Sequence, residues 1–370
     1  MKNKLGVAIL GATGAVGQRF IQLLEGHPWF YVAEVVGSSR SAGKPYGEMV
    51  NWILDDRPSE RIQELRVKSL GETLESSLVF SALPKEAALE VEIPLAHSGH
   101  VVCTNASAHR MVEDVPLLLP EVNHEHLHLV DFQRKQRNWT TGALVANSNC
   151  TTMPVVMSLK PLLPFGIEKI NMVSLQAISG AGYPGVASLD ILDNIVPFVP
   201  SDEEKMQTET LRMLGSLTEV GQVAWLSAKT SASCNRVPVV DGHTVVISVA
   251  LRSQPTLSEV QSAWENFETP SEILNLPSAP QKMVQYLPQY DRPQTRKDRN
   301  AGRGMTTTIG RLRECDLLGY KFVALSHNTI RGAAGCSILN AELMASRGYI
   351  QGFNPINETE KQDDTRIHTR

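Results

Sequence analysis

The strongest chemical signal in the sequence is Cys150, set in Ser148-Asn149-Cys150-Thr151-Thr152. An apolar run ends just before it. An apolar helical pattern starts near Met153, with Pro154 where a first helical turn tolerates proline. A thiol at a helix start has its thiolate favoured by the helix dipole, and thiolate is the form that attacks a carbonyl. On local context alone, a buried structural cysteine is an equally good reading. A second constellation is Cys234-Asn235-Arg236-Val237-Pro238-Val239-Val240-Asp241-Gly242-His243-Thr244. Its imidazole and guanidinium lie seven residues apart across a proline-containing turn. His243 can exchange a proton near neutral pH, and Arg236 can clamp a carboxylate in bidentate fashion. A turn histidine and a surface ion pair compete evenly with those roles. The glycine-rich run 176–185 ends a strand and either meets a ligand closely or is an ordinary turn. The acidic run 201–209 reads locally as a helix start carrying stabilising acids.

A nucleotide site is legible further upstream. Gly11-Ala12-Thr13-Gly14-Ala15-Val16-Gly17 follows an apolar strand pattern directly and opens a helical one. Glycines at its first, fourth and seventh positions give a tight turn and close backbone approach. They also give a helix N-terminus whose free N–H groups suit a pyrophosphate. The next strand runs out as Gly37-Ser38-Ser39-Arg40-Ser41 with no carboxylate at its end, Glu34 lying earlier. An NAD site wants an acid there for the ribose hydroxyls. Hydroxyls and a guanidinium suit the 2′-phosphate of NADP instead.

The elements that must position these residues fall into two textures. Over the first 150 residues, short apolar runs at 5–10, 31–36, 78–82 and 100–104 alternate with helical patterns such as 15–25, which implies a parallel sheet of βαβ units. A polar, helix-like segment at 125–139 ends that region. Beyond it, 171–179, 221–231, 244–252 and 304–312 read as longer strands with polar alternation, suiting a largely antiparallel sheet with one open face. Helical patterns lie at 153–160, 201–214 and 257–267, and a last one at 329–348 is placed to pack back on the first region. The proline-rich stretch 276–293 reads as a surface excursion, and the polar tail 361–370 as frayed. The fold class is therefore α/β: a parallel-sheet NADP domain over 1–148 and 329–370, plus an α+β domain over 149–328.

Composition removes whole classes of function. The chain has 370 residues, 35 basic and 39 acidic, so it carries no polyanion-binding footprint and no nucleic-acid or membrane-surface partner is expected. No apolar run is long enough for a membrane span, and the N-terminus reads as a strand and turn rather than a leader. A cytoplasmic enzyme is expected. Five cysteines without a CxxC pair argue against disulfides and structural zinc. Cys103, Cys234, Cys315 and Cys336 look like bystanders. His124, His126 and His128 tempt as a metal site, but on a polar helix they read as a solvated surface, so no metal is expected.

In combination, these blocks resemble the aspartate-semialdehyde dehydrogenase family in its archaeal/fungal-type branch. The resemblance runs from about residue 5 to 350. It rests on GATGAVGQRF (11–20), SNCTT (148–152), LQAISGAGYPG (175–185), EEKMQTE (203–209), CNRVPVVDGHT (234–244) and HNTIRGAAG (327–335), six blocks in order. It implies a Rossmann domain, an α/β catalytic and dimerisation domain, and a homodimer or homotetramer. It implies NADPH-dependent reduction of L-aspartyl 4-phosphate, with inorganic phosphate released. Cys150 becomes the acylated nucleophile, His243 the acid/base, Gln176 the group that orients the intermediate and Arg236 the carboxylate clamp. Glu203, Glu204 and Lys205 match the helix start facing the substrate amine and phosphate, with Asp202 a further possibility. Asn105 and Arg110 match the phosphate side. Gly11, Thr13, Gly14, Ala15, Val16 and Gly17 cradle the cofactor, and Ser38, Ser39 and Arg40 hold its 2′-phosphate. Ser81, Ser179, Gly180 and Asn328 border it. Malonyl-CoA reductase on the same scaffold is the nearest rival. N-acetyl-γ-glutamyl-phosphate reductase is more distant. A catalytically silent NADP-binding sensor is the alternative from another class, and Cys150 and His243 speak against it.

Overall fold

Two six-stranded sheets organise the chain. The computed structural model describes residues 4–353 and residue 355. The first sheet is wholly parallel: β1 (Leu5–Leu10), β2 (Phe30–Gly37), β3 (Val67–Ser69), β4 (Leu78–Ser81), β5 (Val101–Thr104) and β6 (Ala143–Ala146), in spatial order β3-β2-β1-β4-β5-β6. Its strands are continuous apolar runs because both faces are covered. On one face Val7 and Ile9 pack with Phe20 and Ile21 of α1 (Ala15–Leu24). On the other, Ala8 and Leu10 share a core with Ala88 of α2 (Lys85–His97). The strand order reverses beside β1, so the crevice beyond the C-terminal ends of β1 and β4 is where such a sheet binds ligands.

The second sheet holds β7 (Ile167–Gln176), β8 (Lys229–Arg236), β9 (His243–Leu251), β10 (Val284–Leu287), β11 (Thr307–Cys315) and β12 (Gly319–Ser326), in order β8-β7-β9-β12-β11-β10. Its three central pairings are antiparallel and its two edge pairings parallel. Helices α3 (Thr152–Leu159), α4 (Asp202–Met213) and α5 (Leu257–Glu265) contribute Val155, Met206 and Trp264 to the core that Met172, Ile247 and Phe322 form on its inner face. A π-helical turn, Ile330–Ala334, leads into α6 (Gly335–Ser346). Ile338, Leu339 and Met344 of α6 join the core of Val7, Ile9 and Phe20, so α6 packs on the first sheet.

Several local expectations are corrected. No strand spans 221–231: Val223–Ala224 is one arm of a tiny hairpin with Ser216–Leu217, and β8 begins afresh at Lys229. Polar alternation is the same in a hairpin arm and a long strand, so periodicity alone does not mark the break. The stretch 276–293 is not only a surface excursion, since it contains β10, an edge strand where flanking prolines are tolerated. The three histidines are not one solvated helix face. They lie on a 3-10 turn, His124–His128, whose tighter winding redistributes its side chains. His128 is exposed, but His126 is buried between Asn123 (3.0 Å) and the Gly215 carbonyl (3.2 Å). Among the described residues no group of three or more His, Cys, Asp or Glu side chains is placed to hold a metal, and no helix is long and apolar enough to cross a membrane. All five cysteines are free. The tail 361–370 lies outside the described residues.

Candidate active site

Topology brings the chemistry to one end of the second sheet's strands. β7 and β8 run parallel with Gln176 registered against Arg236, so both strands end together. β9 runs antiparallel to β7, which puts its first residue, His243, at that same end. From the first sheet, β6 runs out through Asn147 to Cys150 and into α3. Cys150 Sγ thereby stands 3.2 Å from His243 Nε2. Two motifs 93 residues apart meet.

The backbone of Ala177, immediately after β7, holds both His243 and Arg236. Its N–H donates to His243 Nδ1 at 3.0 Å, and its carbonyl accepts from Arg236 Nη1 at 2.7 Å. An acceptor at Nδ1 places the ring proton of neutral His243 on Nε2, aimed at the sulfur. Burial and then the Arg236 charge push His243 down to about 3, so this imidazole is neutral at physiological pH. The thiol departs from the helix-start expectation. Burial, with the Asp202 carboxylate adding to it, pushes Cys150 up to about 11 against the opposing pull of Arg110 and Arg236. The helix itself begins only at Thr152, two residues beyond the thiol, and burial disfavours the charged form.

A buried polar lattice fixes the loop around Cys150. The Asn149 N–H donates to Glu209 Oε2 at 2.6 Å, and the Asn149 amide donates to Asp202 Oδ1 at 3.2 Å. Glu209 also accepts from Arg110 Nη1 at 3.2 Å, while Arg110 Nη2 reaches the Asn105 carbonyl at 2.8 Å. Asn105 in turn accepts from Asn147 at 2.9 Å. Asp202 is the acidic hub: Gln176 (3.2 Å), Lys205 (3.0 Å) and Asn149 all donate to it. Of the two expected glutamates, Glu204 is exposed and Glu203 accepts the Cys234 N–H at 3.0 Å. The acid facing the thiol is therefore Asp202, at the first position of α4. Glu209, seven residues on along the same helix face, has no counterpart among the expected site residues. Acids at i and i+7 on one helix signal that shared face. Gly332 was equally hidden, because nothing local marks its contact with Cys150.

The cofactor crevice fits a dinucleotide. Gly11 turns with φ +72°, and a Cβ there would lie 2.7 Å from the Ala82 carbonyl. At Gly17 a Cβ would come within 2.2 Å of the Gly11 carbonyl, so only glycine lets α1 start this close to the turn. Gly14 caps α1 without any side-chain cap, leaving the first N–H groups of Ala15 and Val16 to a ligand, and Thr13 is half-buried beside them. Ser38, Ser39 and Arg40 are exposed at the end of β2. Glu34 is spent inside the protein on Lys68 and Ser76. Ser81 is fully buried, and its carbonyl accepts the Asn105 N–H. Asn328 spans two walls of the site, accepting from the Gly242 N–H at 2.8 Å and donating to Ser179 at 2.8 Å. Gly180 lies against Arg236 and His243: a Cβ there would sit 2.8 Å from the Arg236 guanidinium and 2.9 Å from the His243 ring.

Known proteins match this architecture along its length. Residues 6–130 match the family described as semialdehyde dehydrogenase, NAD binding domain, and residues 159–331 the semialdehyde dehydrogenase dimerisation domain. The aspartate-semialdehyde dehydrogenase of Archaeoglobus fulgidus is 46% identical over 348 residues, covering 94% of this chain and all of the relative. That of Schizosaccharomyces pombe is 43% identical over 352 residues, covering 93% and 99%. The crystal structure of the Candida albicans aspartate-semialdehyde dehydrogenase with NADP superposes with a TM-score of 0.86 at 40% identity, covering 94% of this chain and 100% of that one. With both domains matched and relatives above 40% identical along nearly their whole length, the chain belongs to the aspartate-semialdehyde dehydrogenase family.

Proposed function

We propose that this protein catalyses the NADPH-dependent reductive dephosphorylation of L-aspartyl 4-phosphate to L-aspartate 4-semialdehyde, a step toward lysine, threonine and methionine. The observation that carries the reading is the 3.2 Å approach of Cys150 Sγ to a neutral His243 whose proton points at it. Cys150 attacks the acyl phosphate and forms a thioester. The thiol proton leaves with the phosphate. NADPH, when bound, supplies hydride to the acyl carbon. His243 hydrogen-bonds through its Nε2–H to the oxygen that becomes negative; as that centre collapses to the aldehyde the sulfur departs, and Cys150 takes up from solvent the one proton that the reduction consumes. Gln176 steadies the acyl group from the end of β7. Arg236 clamps the α-carboxylate, and Asp202 faces the amine. Lys205, Arg110 and Asn105 line the phosphate side, with Glu203 and Glu204 further along the same helix start.

The cofactor reading assigns 1–148 and 329–370 to the NADP-binding unit and 149–328 to catalysis and dimerisation. The protein works as a homodimer or homotetramer. It belongs in the cytoplasm, where five unpaired thiols stay reduced. The test is an assay of the purified protein with aspartyl phosphate against malonyl-CoA. Turnover of the acyl phosphate alone is expected, and exclusive use of the CoA ester would replace this reading.

Two kinetic consequences follow from exposed and clamping arginines. NADP should exceed NAD in kcat/KM, and Arg40→Ala should cost about 10- to 100-fold toward NADP, the worth of a charged hydrogen bond. An unchanged NADP preference in that variant would move the 2′-phosphate elsewhere. Arg236→Lys should lower kcat/KM about tenfold or more, because an ammonium cannot hold Ala177 and a carboxylate in one planar fork. Steady-state kinetics with varied semialdehyde read this out, and wild-type values would assign the clamp to another residue.

A further inference from the structure

The ion pair between Arg331 and Glu121 is sealed in the interior, away from any surface contact. Their side chains are 0% and 1% exposed, with Arg331 Nη2 2.6 Å from Glu121 Oε2. The pair is incompletely satisfied, since Arg331 Nη1 and Glu121 Oε1 are buried without partners. Such a pair is a poor way to gain stability, because desolvation offsets much of the attraction and well-packed apolar side chains do as well or better. What it can supply is direction.

Arg331 lies on the π-turn Ile330–Ala334, and its Nε donates to Met157 Sδ at 3.2 Å. Met157 belongs to α3, the helix that starts two residues after Cys150. The neighbouring Gly332 is pressed onto the thiol residue itself: a Cβ at Gly332 would lie 2.6 Å from Cys150 Cβ and 3.0 Å from its Cα. The next peptide is tied to the loop entering the site, with Asn147 donating to the Ala333 carbonyl at 2.8 Å. Glu121, from the turn Pro120–Asn123, anchors the far end. π-turns are rare and concentrate at functional sites.

Resting on Cys150 as the nucleophile, we propose that Arg331 and Glu121 are positioning residues that hold the π-turn so that Gly332 backs the Cys150 side chain toward His243. The turn acts as a backstop. The guanidinium fixes it to both α3 and the 120–123 turn, and the absence of a side chain at Gly332 sets the distance.

The test replaces the pair together, Arg331→Met with Glu121→Leu, so that no lone charge is left buried. Thermal unfolding, KM for the semialdehyde, kcat and the rate of Cys150 alkylation by iodoacetamide are measured. The expected result is a folded protein with a near-normal KM, a kcat lower by about 100-fold, the cost of misplacing a reacting group by about 1 Å, and an altered alkylation rate. Should the double variant not fold, Gly332→Ala leaves the ion pair in place and is expected to lose kcat to a similar degree. Wild-type kcat and alkylation in either variant would overturn the proposal. Alkylation of the wild-type enzyme separates this from the reading beneath it: if Cys150 is modified and activity persists, the nucleophile is wrong rather than its backstop.

Discussion

Cys150→Ala is expected to abolish NADP reduction by aspartate semialdehyde, with or without phosphate, while the protein stays folded and still binds NADP. The reasoning is one of supply. No second thiol can take over. Cys103 and Cys336 are sealed in the core, with burial driving both thiols up, Cys336 to about 12. Cys234 is buried against Met206 Sδ at 3.4 Å. Cys315, whose thiol is lowered by the N–H groups of Leu318 and Leu317, ends β11 at the opposite end of the second sheet's strands from His243. Removing the covalent intermediate leaves a direct displacement that the site is not built to support. Steady-state assays at saturating NADP check the loss, and a melting curve checks the fold. Measurable phosphate-dependent turnover in this variant would remove Cys150 from the reaction.

His243→Ala is expected to lower kcat about 10²- to 10⁴-fold, the usual range for a positioned proton donor. Its effect on KM should be small, because the carboxylate clamp stands on β8 and the amine contact on α4. The wild-type pH profile carries a second signature. With His243 held down to about 3, its imidazole does not change charge between pH 5 and 8. The wild-type rate should therefore show no inflection near the ordinary imidazole value that vanishes in the variant. An inflection there, lost with His243, would mean that the ring cycles through a cation and that the Ala177 N–H does not fix its proton.

Most of the fold was legible because periodicity and glycine placement carry it. The β1–α1 turn is readable from three glycines, since each has a backbone neighbour that excludes a Cβ or an open helix end. The parallel sheet is readable from apolar runs of uniform texture. The distinction between β8 and the 216–224 hairpin was hidden, because both alternate polar residues and only pairing separates them. Within the site, Cys150, Arg236 and His243 stand in local motifs that read equally well as structural, and Gln176 is assigned only through the resemblance. Their convergence was not legible, for it depends on the antiparallel placement of β9 beside β7. Asp202 was hidden among three consecutive acids, as local sequence does not say which one the helix turns inward. Burial also reversed the expected acidity of the thiol: the helix start is visible in sequence, but the low-dielectric wall and the facing carboxylate are tertiary.

The central claim is a thioester on Cys150. It is tested most directly by a single turnover of the wild-type enzyme with semialdehyde and NADP in the absence of phosphate, followed by rapid quench and peptide mass analysis. The account predicts a burst of NADPH matching the active-site concentration, an aspartyl group on the Cys150 peptide, and its discharge when phosphate is added. No burst, or an acyl group on any other residue, would contradict it.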